Sequence, residues 1–290
     1  MPRRASLNYS RFTGAGPSVT EALTAGQPPP LTMQDAMTFI CDQASKQRTR
    51  LWIDAEQQVF QNTIDSWTIG LMKKYNKNGK ALVYNTLQAY LKGTPANIER
   101  HLALAQAEGW TLGVKLVRGA YIKIETRNLI HDSIQDTHAA YDSIIQRLLT
   151  KTFPGPDSQK PYPDVQLMLA SHNESSVKKG YETWLSRNVN GLPTIKLELA
   201  QLQGMADELS CGLVQTRKEM ISGEKVSKEW YPRAFKCLCW GGTQECVQFL
   251  IRRAVENSGS LGRTHVWMEG LKKELWRRIK APARARTQES

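Results

Sequence analysis

Polar side chains able to bind charged ligands recur in this sequence directly after short apolar runs. Asp54 and Glu56 follow Leu51-Trp52-Ile53, Asn85 and Gln88 close the next such run, Lys115 and Arg118 lie within Val114-Lys115-Leu116-Val117-Arg118-Gly119-Ala120-Tyr121, and Ser171, His172 and Asn173 follow Leu167-Met168-Leu169-Ala170. Singly, each has an ordinary structural use: Asp54 as a helix cap, Arg118 as its salt-bridge partner, His172 as a hydrogen-bonded structural histidine. Together they point to one rim, because a strand buried on both faces gains nothing from polar groups except at its open end. Further along, Arg252 and Arg253 stand side by side in Leu250-Ile251-Arg252-Arg253-Ala254-Val255-Glu256-Asn257. On a helix spanning about 243–257 the two guanidiniums lie about 100° apart, so at least one leans toward the apolar side or toward a site. Glu256 is spaced to reach back to them. The pair reads either as an exposed salt-bridge cluster, which is worth little, or as a fork for a carboxylate, whose geometry planar guanidinium matches.

A rim requires strand ends, and the hydrophobic pattern supplies them. Runs rich in β-forming residues at roughly 7–12, 50–54, 80–86, 111–118, 165–170, 194–200 and 234–240 alternate with helix-period segments, the pattern that builds parallel sheets from βαβ units. In 94–109, Thr94 is placed to cap, Pro95 takes the first helical position, Ile98, Leu102 and Ala105 form an apolar stripe, and Gly109 stops the helix. A second helix over about 132–149 carries Ile134, Tyr141, Ile145 and Leu148 at helical spacing. The Gly- and Pro-rich stretches 14–30 and 152–163 read as loops. From Val266 onward, Trp267, Leu271, Leu275 and Ile279 recur while Lys272, Lys273, Arg277 and Arg278 take other faces, giving a basic amphipathic helix.

Composition narrows the function classes. The 290 residues hold 39 Lys plus Arg against 27 Asp plus Glu, a formal charge of +12, which favours nucleic acid, an acidic membrane face, or a phosphate-bearing cofactor with a carboxylate substrate. Zinc-finger spacing, RNP-like segments and helix-turn-helix patterns are all missing, so no nucleic-acid partner is expected. No apolar run approaches the twenty or so residues of a membrane span. The five cysteines are odd in number and form no C-x-x-C pair, which fits a reducing compartment. Cys237 and Cys239 would share one strand face, but without a His or second Cys pair at ligand spacing they read as buried free thiols and not as metal ligands. Neither Gly-x-Gly-x-x-Gly nor a P-loop is present, so any dinucleotide binds outside a Rossmann turn. Residues 2–6 are basic, yet no mitochondrial presequence is visible.

Taken in order, Asp54-Ala55-Glu56, Tyr84-Asn85-Thr86-Leu87-Gln88-Ala89-Tyr90, Lys115-Leu116-Val117-Arg118-Gly119-Ala120-Tyr121, Ala170-Ser171-His172-Asn173, Gln201-Leu202-Gln203-Gly204-Met205 and Arg252-Arg253-Ala254-Val255-Glu256-Asn257 resemble the proline dehydrogenase (proline oxidase) family, and its fungal branch in particular. The resemblance covers nearly the whole chain. It implies a distorted (βα)8 TIM-type barrel that binds FAD and oxidises L-proline to Δ1-pyrroline-5-carboxylate by hydride transfer to flavin N5. Electrons would pass to a quinone at the matrix side of the mitochondrial inner membrane. By the same resemblance, Arg252 and Arg253 clamp the substrate carboxylate, Asp54 lines the substrate pocket and Leu202 packs on the proline ring. For the flavin, Gln88, Lys115 and Arg118 lie near the isoalloxazine and pyrophosphate, with Ser171, His172, Asn173 and Glu256 beside them. A zwitterion needs a positive fork and a nearby anion, and Arg252, Arg253 and Asp54 carry those signs.

Three departures from the family pattern are visible. Arg11 stands where the family has a Lys, keeping charge but not the compact ammonium geometry. Cys237 stands where the family has a Tyr over the substrate, which leaves space and removes a donor. The family's first barrel strand has no counterpart, and seven β-rich runs instead of eight are the same deficit in the pattern count. The expected fold is therefore an α/β barrel of the proline dehydrogenase kind missing its first strand, with residues 1–265 as flavin-binding barrel and 266–290 as basic helix and tail. That tail helix is open to two readings, peripheral membrane contact or a packed or solvated helix. Two alternatives to proline oxidation follow from the departures: a dehydrogenase of another cyclic secondary amine such as hydroxyproline, or a truncated non-catalytic homologue.

Overall fold

The computed structural model describes residues 7–223, 230–256 and 264–280. In chain order it holds β1 (Leu7–Ser10), α1 (Pro17–Thr24), α2 (Leu31–Lys46), β2 (Arg50–Ile53), α3 (Gln58–Tyr75), β3 (Val83–Gln88), α4 (Thr94–Glu108), β4 (Leu112–Val117), α5 (Ile134–Thr150), β5 (Val165–Ala170), α6 (Glu174–Val189), β6 (Lys196–Leu202), α7 (Asp207–Ser222), β7 (Arg233–Cys237), α8 (Thr243–Glu256) and α9 (Thr264–Lys280). The sheet order is β1 to β7 in sequence, and every neighbouring pair is parallel.

The period-2 alternation of the strands sorts two cores. Leu51, Ile53, Val83, Leu87, Val114, Leu116, Leu167, Leu169, Leu197 and Leu199 face the helices and join the main apolar cluster. Trp52, Tyr84, Met168 and Ala200, with Phe235 packed against them, fill the opposite face. That second face is concave: Arg50 of β2 makes an ion pair with Glu198 of β6, four strands away. In a flat sheet those strands would stand about 19 Å apart, so the contact exists only because the sheet curls into a barrel wall. Arg233 donates to the same carboxylate at 2.8 Å, and Tyr84 donates to Gln166 at 2.7 Å, forming a polar floor beneath the aromatic layer. Gly113 makes room for Tyr84, since a Cβ there would lie 2.4 Å from the Val83 carbonyl oxygen and 3.0 Å from the Tyr84 ring. Among the described residues no pairing joins β7 to β1, in keeping with a barrel one strand short.

All seven strands fall where the pattern places them, within a few residues. Other expectations are corrected. Residues 14–30 are not simply a loop: Gly16 at φ 115° and Pro17 in the first turn start α1, which buries Val19, Ala22 and Leu23. The Gly-Pro pair marks a helix start there. Thr94 is the first residue of α4 and not its cap; its hydroxyl donates instead to the Gln88 carbonyl at 2.6 Å, while Gly109 at φ 68° ends the helix as expected. Of the cysteines only Cys41 is buried, and that burial pushes its thiol up to about 12. Cys211 is exposed and the others are half-buried, and β7 ends at Cys237, so Cys239 lies beyond the strand. On α9, Met268, Leu275, Trp276 and Ile279 are exposed. No described helix is long and apolar enough to cross a membrane.

Candidate active site

The C-terminal ends of β2, β3 and β4 bring Asp54, Gln88 and Lys115 together. Lys115 points into the barrel, buried, and its Nζ donates to Asp54 Oδ1 at 2.7 Å. Asp54 is therefore neither a helix cap nor the partner of Arg118: the cap position of α3 is Gln57. The reason is register. Lys115 lies on β4 with inward parity, whereas Arg118 lies one residue past the strand and turns toward α5 and α6. There its Nε donates to His138 Nδ1 at 3.0 Å, Nη1 to Ser171 Oγ at 2.6 Å and Nη2 to Ser176 Oγ at 2.7 Å, with the guanidinium 4.2 Å from the Tyr141 ring centroid. Burial, and then the neighbouring Arg118 cation, hold His138 below the usual imidazole range, which suits its role as acceptor. These three acceptors aim the guanidinium, and the Ser176 hydroxyl in turn donates to Asp142.

Gln88 bridges two rim segments. Its Nε2 donates to the Glu56 carbonyl at 3.0 Å and its Oε1 accepts from the Ala120 N–H at 3.4 Å. Glu56 in turn accepts from the Thr13 N–H at 3.1 Å and from the Thr13 hydroxyl, which ties the segment after β1 to the rim. Arg11 is exposed and donates to the Tyr121 hydroxyl, with its guanidinium 5.7 Å from that ring. Gly119, at φ 144°, lets the chain pass the face of Tyr90, where a Cβ would overlap the ring at 1.7 Å.

After β5, Ser171 Oγ accepts from the Asn173 N–H at 3.1 Å, and Asn173 caps α6 by accepting from the Ser176 N–H at 3.1 Å. His172 Nε2 accepts from the Leu202 N–H at 3.0 Å, fastening the β5 turn to the end of β6. Leu202 pairs in register with Cys237 of β7. Arg252, Arg253 and Glu256 belong to α8, and their side chains lie outside the described residues.

Sequence reasoning missed two groups. One is the Arg50–Glu198–Arg233 floor, in which a buried carboxylate near the start of β6 meets the first residues of β2 and β7. The other is Asp65 on α3, 1% exposed, which accepts from Gln61, Asn85 and Asn97. A carboxylate four residues after a Gln on the apolar side of an amphipathic helix was the available signal.

Comparison with known proteins bears on the family of the whole chain. The family model described as proline dehydrogenase matches residues 4–266. The chain is similar to proline dehydrogenase 1, mitochondrial, of Caenorhabditis elegans, with 34% identity over 248 residues that cover 83% of this chain and 37% of the relative. It is also similar to the probable proline dehydrogenase, mitochondrial, of Schizosaccharomyces pombe, with 33% identity over 249 residues that cover 83% of this chain and 49% of the relative. The chain thus spans half or less of these relatives' length. Among solved structures, proline utilization A from Bdellovibrio bacteriovorus, inactivated by N-propargylglycine, shares the fold with a TM-score of 0.60 at 17% identity, over 86% of this chain and 24% of that one.

Proposed function

This chain belongs to the proline dehydrogenase family, and from that premise we propose that it oxidises L-proline to Δ1-pyrroline-5-carboxylate in mitochondrial proline catabolism, using FAD. The observation that carries the reading is the Lys115–Asp54 pair at 2.7 Å on the same strand-end rim as Gln88 and Arg118. The donor set fits a flavin dinucleotide: a buried ammonium, a guanidinium aimed by His138, Ser171 and Ser176, a primary amide and a serine turn, with Gly119 allowing close backbone approach. Bound FAD supplies the hydride acceptor at flavin N5.

In this reading the chain's own residues bind and align. Arg252 and Arg253 hold the substrate carboxylate, Asp54 faces its nitrogen, and Leu202 packs on the ring. Lys115 and Arg118 place positive charge beside the isoalloxazine and pyrophosphate. Gln88, Ser171, His172, Asn173 and Glu256 complete the cofactor cradle, and Arg11 with Tyr121 closes one side. Residues 1–265 act as the catalytic barrel and 266–290 as a basic appendage suited to peripheral contact with an anionic membrane face, where a quinone takes the electrons. The word mitochondrial in the names of the curated relatives supports that location.

One observation favours a second reading of substrate choice. Cys237 is half-buried opposite Leu202, and a thiol there leaves space for a ring larger than proline, such as hydroxyproline. The test is a visible spectrum of the protein purified with FAD, followed by anaerobic addition of proline, 4-hydroxyproline or pipecolate. A stoichiometric flavin band that proline bleaches is expected. A colourless protein that added FAD does not rescue would overturn the enzymatic reading in favour of a non-catalytic homologue.

A further inference from the structure

Behind the rim, on its helix side, sits a buried carboxylate with no part in the chemistry described so far. Gln61 and Asp65 lie one turn apart on α3, so they share a face. Asp65 Oδ1 accepts from Gln61 Nε2 at 2.8 Å and from Asn85 Nδ2 at 2.7 Å, and Oδ2 accepts from Asn97 Nδ2 at 2.7 Å. Both Asp65 oxygens accept, so the end of the Gln61 amide that faces them is the NH2 end. The other end, Gln61 Oε1, is thereby turned to the Glu56 N–H, which it accepts at 2.8 Å. The Glu56 carbonyl is taken from the opposite side by Gln88 Nε2 at 3.0 Å. Both polar groups of one peptide segment, two residues beyond Asp54, are thus fixed by side chains, and one of those side chains is oriented by Asp65.

We infer that Asp65 is a positioning residue: acting through the Gln61 amide, it sets the backbone of the Asp54–Glu56 segment and so the placement of Asp54 and Gln88 at the rim. This rests on the reading of the rim as a flavin and proline site. A structural carboxylate that merely ties α3 to β3 and α4 would need Asn85 and Asn97 alone; the bond to Gln61, and its continuation to the Glu56 N–H, is the part that reaches the site. A cavity of about 330 Å³ adjoins the network, lined by Gln58, Gln61, Asp65, Gln88, Asn97 and Arg100, and leaves room for altered side chains.

The test combines Gln61→Met, Asp65→Leu, their double variant and the conservative Asp65→Asn, read by hydrogen exchange of residues 54–57, by FAD affinity from quenching of free flavin fluorescence, and by thermal unfolding. Gln61→Met and Asp65→Leu should each speed exchange of the Glu56 amide and weaken FAD binding by about tenfold, the scale of one lost hydrogen bond. The double variant should be no worse than Gln61→Met. Asp65→Asn keeps one oxygen for both Gln61 and Asn85 while giving up the bond from Asn97, and should stay within about threefold of the parent on both readouts. Should Asp65→Leu not fold, Asp65→Ala removes the acceptor without bulk and carries the same expectation. Unchanged Glu56 exchange in Gln61→Met, or effects of the two substitutions that multiply, would overturn the inference; so would a lowered melting temperature in Asp65→Leu with exchange and FAD affinity intact. If the parent protein itself binds no FAD, the cofactor reading falls, and the exchange data still decide the role of Asp65.

Discussion

At the scale of residues, the site turns on which cation meets Asp54. Composition and spacing make both Lys115 and Arg118 available, and only strand parity separates them: one residue beyond the end of β4 changes a barrel-facing side chain into one that turns over α5. Lys115 is the buried member of the pair and Asp54 the more open one. Lys115→Met should therefore cost about 1–3 kcal/mol, the price of leaving a partly buried acceptor without its donor. Adding Asp54→Asn should return part of that loss, as thermal unfolding of the single and double variants can measure; strictly additive losses would show that the pair is not coupled. The same scale decides substrate choice. Cys237→Tyr fills the space beside Leu202 and should shift the ratio of kcat/KM for proline over 4-hydroxyproline upward by about tenfold, a typical value for one changed pocket contact. An unchanged ratio would show that position 237 does not touch the ring.

At the scale of elements, local rules succeed where they act alone and fail where tertiary contacts take over. The α4 stop at Gly109 follows from capping chemistry that neighbours do not disturb, and Ser133 caps α5 through a reciprocal pair with Asp136, a cap that the apolar spacing of 132–149 does not name. Thr94 has the chemistry of a cap, but the Gln88 carbonyl lies within reach and takes its hydroxyl, a contact between segments that spacing alone cannot reveal. The glycine and proline content of 14–30 conceals α1 because both residues occur equally in loops and at helix starts. Gly119 is the position where an element's geometry is least forgiving: φ 144° and the Tyr90 face together forbid a side chain, so Gly119→Ala should destabilise by about 3 kcal/mol, visible as a lower urea midpoint. His101 on α4 gives a pH dependence. It is fully buried, neither ring nitrogen has a hydrogen-bond partner, and burial pushes it down to about 4 from its ordinary 6.5, against an opposing pull from Asp65. Between those values the unfolded chain binds a proton that the folded chain refuses. The contribution is thus fully present above pH 6.5 and is lost as pH falls toward 4, by about 3 kcal/mol in all. Urea unfolding across that window should show the slope in the parent and a flatter curve in His101→Leu; parallel curves would exclude His101 as its source.

At the scale of the whole molecule, the seven strands among the described residues leave an edge at each end of the sheet. The alternation of β-rich runs and helix periods made the parallel barrel legible in the sequence, because each βαβ unit is a local pattern. Closure is not local. It depends on whether the first and last strands meet, and no window of residues encodes that. Burial records the outcome: every residue of β3 is buried, whereas every residue of β7 is only half-buried, and Leu238 and Trp240 just beyond it are exposed. Amide protection follows the free energy needed to open each segment, and edge strands with one bonded neighbour open without breaking the rest of the sheet. Native-state hydrogen exchange should accordingly rank β3, β4 and β5 at the global limit and β7 well below it, by a factor of about a hundred or more. Since the proposed substrate wall is made by Leu202 on β6 and Cys237 on β7, an edge strand is also half of that wall. If β7 instead exchanges at the rate of β4, its edge is covered in solution, either by a further strand of a longer chain or by a second copy. Repeating the measurement over a hundredfold range of protein concentration separates the two, because only protection by a second copy weakens on dilution.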